Sequence, residues 1–558
     1  MFVPDPTADT RKRVKAPVPD TADVVVIGAG LGGLLAAARL ARAGASVAVF
    51  DHHYVAGGCG TMYKRGPADA RYVFDIGMHY VGDAGPGGRI PAMLSSVGAH
   101  VSFRPLDPEG FDRIHVPGAS FQVPWQIDDY EQALCERFPH ETQGIRRYCR
   151  MVREVSALSA ASLAAGGRIT PRVIWTALTR GRMALRYQHA TAATVVDACV
   201  SDPQLKAILY GINGCYAVAP RDVSAFMHFG LAAHYFRGGY YPRGGGQRMA
   251  DALADAVEEA GGALCLRQGI AEIVVEDGRV AGVRLESGKV VRAPTVLSNA
   301  CARKTLLELL PAEAVPRKER EAAERWEMSS GIHLLSLGVE GTPGELGIRN
   351  GNEWFHDTLD YDGLYDALGT GTQNATCLYI TSGSAKDPGT PGHAPSGQFT
   401  LQAMVFVSGK PEHWGVTAED VASGRYRSKE GYTSRKAALD AAILDKLERH
   451  YPGIGARIRF AESATPLSQA RYTRASGGSP YGIAAIPSQF LGRRPGPVGP
   501  VPGLYLAGAS TRSAHGIVGS LNSGWLAADH IAAARGWQVA PLENWVPGGV
   551  RAIPALAK

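Results

Sequence analysis

The stretch VVVIGAGLGGLLAAARLARAGASVAVFD, residues 24–51, constrains this chain more than any other. Val24 to Ile27 is a short apolar, β-branched run of the kind that forms a buried parallel strand. Three glycines follow. Gly28 permits a tight bend, Gly30 lets the backbone approach a pyrophosphate, and Gly33 allows a helix to pack closely on the sheet. Leu31 opens that helix, whose first-turn amides have no partners within it and attract phosphate. The second strand ends on Asp51, followed by His52, where a carboxylate accepts hydrogen bonds from ribose hydroxyls. The stretch predicts a strand, turn, helix and strand that hold a dinucleotide. An acid at position 51 repels a 2'-phosphate, which disfavours NADP and leaves NAD and FAD.

At 558 residues the chain is long enough for two or three packed units. Hydrophobic residues make up 45% and charged residues 20%, which excludes a disordered or a multi-span membrane protein. A net charge of +6 from 58 basic and 52 acidic residues is too mild to indicate nucleic-acid binding. The eight cysteines form no CxxC pair. Neither a metal site nor a disulfide framework is expected, and a reducing cytoplasm suits such a chain. Residues 1–20 carry basic residues without the apolar core of a secretory signal, so they read as a flexible leader on a cytoplasmic protein.

Three later segments choose between the two nucleotides. HHYVAGGCGTMY brings Gly57 and Gly58 close behind the ribose acid, and YVFDIGMHYVG follows at 72–82. Near the C-terminus, GLYLAGASTRSAHGIVGSLNSGWLAADHIAAA (503–534) reads as a strand, a glycine-rich loop and a helix of small residues. A second phosphate-type turn far along the chain is what the flavin end of FAD requires, with Gly508, Ala509, Gly516, Ile517 and Val518 aimed at it.

These segments resemble the FAD-dependent family of phytoene desaturases, carotenoid isomerases and retinol saturases, within the larger amine-oxidase-like flavoprotein group. The resemblance covers three blocks: 22–100, 238–305 and 460–535. FDIGMHYVG and ATPLSQARYTRASGGSPYG look closest to the retinol saturase branch, and GASTRSAHGIVG is similar to the flavin loop of bacterial carotenoid desaturases. The arginine-free VAGGCG sets the chain apart from amine oxidases. In the middle block, the resemblance puts the strand that begins at Ile270 against the adenine, with a hairpin turn at Asp277–Gly278.

The resemblance implies an α/β architecture: a discontinuous Rossmann-type, glutathione-reductase-like FAD-binding domain (21–105, 238–310 and 460–540) and an α+β substrate domain covering the flavin (106–237 and 311–459). Residues 541–558 read as a tail. Candidate catalytic residues beside the flavin are His515, His79 and Tyr80, where a histidine moves a proton while hydride passes to or from N5. Packing or backbone support is the plainer role for both histidines. Cys59 reads as a packing residue, and Arg65 and Arg71 as surface residues.

The implied function is two-electron redox chemistry on a carbon–carbon bond of a hydrophobic polyene such as a carotenoid or retinoid. Desaturation stands slightly ahead of saturation, because no second nucleotide fingerprint is visible to supply hydride, and the electron donor or acceptor is external. The alternatives are redox-neutral cis/trans isomerisation with reduced FAD and, remotely, a non-catalytic prenyl carrier of the GDP-dissociation-inhibitor type. Residues 167–188 mix Ile174, Trp175, Leu178, Met183 and Leu185 with five arginines. They form either a peripheral membrane contact or, more commonly for such a pattern, a surface helix with its apolar side chains buried.

Overall fold

The computed structural model describes residues 16–68 and 70–545. Most of the leader at 1–20 and of the tail at 541–558 lies outside the described residues.

Val24–Ile27 is fully buried and alternates its side chains between two cores. Val24 and Val26 face one, Val25 and Ile27 the other, as the two-residue period of a strand dictates. The strand lies at the centre of a five-stranded sheet in the order Ala263–Leu266, Val47–Asp51, Val24–Ile27, Val296–Ser298, Leu504–Leu506, and every pairing is parallel. Strands from three distant parts of the chain therefore meet side by side.

One face of this sheet is covered by the helices Leu31–Arg42, Gln247–Glu259 and Gly516–Arg535. The first and last cross at bare backbone. A Cβ on Gly524 would sit 2.0 Å from the Gly32 carbonyl oxygen, and one on Gly32 would sit 2.5 Å from that of Ser520. The other face packs on an antiparallel sheet of Ile270–Glu276, Arg279–Leu285 and Val290–Arg292. Its first turn is the expected one: Asp277 and Gly278 both have positive φ, the twist a two-residue hairpin requires.

A seven-stranded sheet forms the second layer, in the order Ile458–Ala464, Gly331–Glu340, Gln398–Val407, Cys377–Thr381, Asn352–His356, Asp112–Val116, Ala119–Val123. Only Asn352–His356 and Asp112–Val116 run parallel in it. The strands at 331–340, 377–381 and 398–407 are apolar runs of the sequence, and the helix Glu430–His450 packs on them through Leu439, Ile443 and Leu447. A boundary at residue 460 falls inside Ile458–Ala464, an edge strand whose pairing partner is Gly331–Glu340. Helix Thr142–Ala164 packs against both Pro171–Arg180 and Ala225–Tyr235.

Candidate functional site: one cavity from the glycine turn to an exposed helix

The glycine turn opens on a cavity of about 1660 Å³, larger than the roughly 300–1,000 Å³ usual for a small-molecule pocket. Gly28, Gly30, Leu31, Asp51, His52, Gly57, Gly58 and Ile270 all line it. Gly28 has φ +94° and Gly58 φ +58°, and a Cβ on Gly30 would meet the Asn299 amide at 2.7 Å. Gly33 stands behind the wall: a Cβ there would press to 2.4 Å from the Gly28 carbonyl, so its bareness sets how closely the helix approaches the turn. The Asp51 carboxylate accepts the Ala29 amide through Oδ2 and the His53 amide through Oδ1, both at 2.8 Å, which fixes it at the strand end. The helix Leu31–Arg42 has no side-chain cap and no acid in its first turn.

Gly508, Ala509, His515, Gly516, Ile517 and Val518 line the same cavity from the far end of the chain. Gly508 and Gly516 have positive φ, and the Gly508 amide is held by Ser523 Oγ at 2.7 Å. The buried Arg494 donates to the Ala509 carbonyl at 3.1 Å and supports the loop from behind. His515 occupies the residue before Gly516–Arg535 and gives that helix no side-chain cap. Its Nε2 lies 2.9 Å from the Cys215 carbonyl, while its buried Nδ1 has no partner. Burial and the nearby Arg494 push its pKa down to about 3, so it is neutral near pH 7. The Asn299 Oδ1 beside the glycine turn is likewise buried without a partner. Two uncapped helix starts and two orphaned polar atoms on one cavity fit an elongated, phosphate-bearing cofactor.

The profile of the flavin-containing amine oxidoreductases matches residues 31–532. The chain belongs to that family. It is an FAD-dependent oxidoreductase, with a Rossmann-type FAD-binding unit and a separate substrate-covering sheet. Among curated relatives of this flavoprotein, all-trans-retinol 13,14-reductase of Danio rerio is 28% identical over 517 residues, 88% of this chain and 83% of the relative. The chloroplastic prolycopene isomerase of Arabidopsis thaliana is 26% identical over 535 residues, 92% and 82% of the two chains. Cyclohexylamine oxidase from Brevibacterium oxydans shares the fold, with a TM-score of 0.58, 17% identity and coverage of 93% and 100%.

One stretch of the flavoprotein's cavity is walled by apolar side chains. Leu158 and Leu163 come from one helix, Val173 and Ala177 from the next, Phe226 and Leu231 from a third, and Met404 and Phe406 from the seven-stranded sheet. His79 and Tyr80 join this part. Burial and the Lys386 charge push the His79 pKa down to about 3, so this ring too is neutral. Cys59 accepts from Gln469 at 3.2 Å, Arg65 pairs with Glu462 at 3.0 Å, and Arg71 is exposed.

Five residues that carry no sequence signal stand behind His79 and Tyr80. Tyr80 donates to Asp112 Oδ2 at 2.9 Å, and Asp112 Oδ1 accepts from Asn352 Nδ2 at 2.9 Å and Trp354 Nε1 at 3.1 Å. Asn352 Oδ1 in turn accepts from Lys386 Nζ and from the Tyr379 hydroxyl. The sequence separations of their bonded pairs, up to 242 residues between Asp112 and Trp354, leave no local pattern to find.

The segment 167–188 folds as Pro171–Arg180 and Arg182–Arg186. Burial of its apolar side chains fails for three of the five: Ile174, Trp175 and Leu178 are 49, 58 and 62% exposed, and Ile169 just before them is 83% exposed. Met183 and Leu185 are half-buried. Among the described residues no helix is long and apolar enough to cross a membrane, and no cluster of side chains suits a metal ion.

Proposed function

We propose that this flavoprotein saturates a carbon–carbon double bond in a retinoid- or carotenoid-like polyene. The carrying observation is that one cavity joins the glycine turn, the second flavin-type loop and a long apolar arm between helices and sheet. The relatives named for retinol reduction support the direction, which moves saturation ahead of the desaturation favoured by sequence alone. Gly28, Gly30, Asp51 and Ile270 would hold the ADP half of FAD, Gly57 and Gly58 the passage beyond it, and Gly508 to Val518 the flavin half. Bound there, the group would supply hydride exchange with a substrate carbon, its electrons coming from an external donor.

The chain's own contribution is orientation and dryness. Leu163, Val173, Phe226 and Leu231 exclude water from an extended chain, and the neutral His515 presents a free acceptor at Nδ1 where the second loop turns. The exposed Ile169, Ile174, Trp175 and Leu178, with Arg168, Arg172, Arg180, Arg182 and Arg186 exposed around them, suit an anionic bilayer surface. The same helix lines the cavity through Val173 and Ala177, so a lipid-soluble substrate reaches the arm from that surface.

The test is mass spectrometry of all-trans-retinol or a carotenoid after anaerobic incubation with the holoenzyme, reduced and oxidised in turn. A gain of about two mass units with the reduced enzyme is expected. A loss with the oxidised enzyme establishes desaturation instead. An unchanged mass with a shifted absorption spectrum establishes isomerisation, the reading that the prolycopene isomerase relatives favour.

A further inference from the structure

Saturation needs a proton as well as a hydride, and the apolar arm offers few groups that can give one. His79 and His515 are neutral imidazoles, as their burial dictates. Nine tyrosines line the cavity, and two of them, Tyr80 and Tyr379, donate their hydroxyls to the buried Asp112–Asn352 pair. The Tyr379 hydroxyl donates to the amide oxygen of Asn352, which cannot return a proton. The Tyr80 hydroxyl donates to a carboxyl, Asp112, which can.

Asp112 is fully buried. Around it stand Tyr80, Asn352, Trp354 and, at longer range, Lys386 and Cys215. Lys386 is also buried, and its ammonium donates to the His79 carbonyl at 2.6 Å, to Asn352 and to Thr381. It lies 5.7 Å from the Tyr80 ring centre and 5.8 Å from that of Tyr241. Asp75 acts on it from the far side, and the adjacent Asp387 is engaged by Arg104 and His393. A buried cation and a buried acid, joined through one amide and ending on a cavity phenol, are costly to assemble for packing alone. Tyr80 is further stacked on Tyr235 at 4.4 Å, and its hydroxyl lies 3.5 Å from Cys215, whose carbonyl holds His515 in the second loop. The phenol is thereby tied to the flavin end of the cavity.

The geometry points to Tyr80 as the proton donor to the polyene, with Asp112 as the group that restores its proton and Lys386 as the buried charge that balances the pair. The inference rests on the saturation reading. Hydride from reduced flavin forms one C–H bond, and the π pair of the double bond forms the other with the Tyr80 proton. The O–H bond breaks with its electron pair left on the phenol oxygen, which takes the carboxyl proton of Asp112. The substrate gains two hydrogens, the flavin is oxidised by two electrons, and Asp112 is left as carboxylate until it is reprotonated between turnovers. A redox-neutral isomerase has no use for such a stoichiometric proton.

Two readouts on the holoenzyme test this. The first needs no turnover: infrared difference spectra between acid and alkaline pH should show a protonated carboxyl titrating near pH 6, where burial raises Asp112. That band is absent in Asp112→Asn and moves to higher pH in Lys386→Met, which removes the cation. The second is single-turnover saturation by reduced enzyme, whose rate should fall as pH rises through that midpoint. Tyr80→Phe should retain flavin absorbance and slow the reaction by about 10²- to 10⁴-fold, the range for general acids. Asp112→Asn should flatten the pH profile, and it serves alone if Lys386→Met does not fold. Parental rate and pH profile in Tyr80→Phe and Asp112→Asn, in a parent that saturates, overturn the relay and leave the reaction standing. A parent that only isomerises overturns the saturation reading and the use of the proton together.

Discussion

Asp51 does two things that only a short carboxylate at a strand end can do. It fastens the Ala29 and His53 amides, which hold the glycine turn open, and it keeps lone pairs directed into the cavity. Asp51→Ala leaves both amides without that acceptor and removes the partner of the ribose, so the variant should purify with most of its FAD lost. The ratio of flavin to protein absorbance checks this, and a full flavin complement would remove Asp51 from the cofactor site. At this scale the sequence was readable wherever function is local. Gly28, Gly30, Gly33 and Asp51 lie within one strand–helix–strand unit, and their spacing alone carries the chemistry. Asp112, Asn352 and Lys386 were not readable, since each sits in an ordinary run and acquires its meaning only where distant strands meet.

At the scale of elements, the helix Pro171–Arg180 is unusual in having two working faces. Val173 and Ala177 line the cavity, while Trp175 and Leu178 stand in solvent among exposed arginines. Ile174→Ser, Trp175→Ser and Leu178→Ser together should leave the fold intact, because the removed side chains are largely exposed. The triple variant should lose co-sedimentation with phosphatidylserine vesicles, and high salt should weaken the parent's binding. Undiminished sedimentation of the triple variant would show that this face does not meet lipid. The mixture of residues at 167–188 is legible in sequence, but which apolar side chains are buried is a matter of what packs over them. Sequence also passed over the strands Asp112–Val116 and Ala119–Val123: they are short, carry polar residues, and one pairs in parallel with a strand some 240 residues away. The long apolar runs at 331–340 and 398–407 need no such partner to be recognised.

For the whole molecule, the cavity is walled by distant parts of the chain, which also meet in the five-stranded sheet and where Leu31–Arg42 crosses Gly516–Arg535. Ligand binding to the native state alone adds stability as RT ln(1 + [L]/Kd). Removal of FAD should therefore lower the melting temperature, and re-addition should raise it in proportion to the logarithm of the FAD concentration. A melting temperature indifferent to FAD would place the flavin outside the fold's stability. The central strand Val24–Ile27 has neighbours at Val47–Asp51 and Val296–Ser298, and the sheet closes with Leu504–Leu506. On a ribosome adding about 5–20 residues per second, the first strand waits roughly 20–90 s for the last one. Once made, the apolar edge at residues 296–298 stays open for roughly 10–40 s of that interval, and the second loop that completes the flavin cradle has not yet been made. The order in which this chain is threaded thus delays the whole cradle until residues 508–518 have been made.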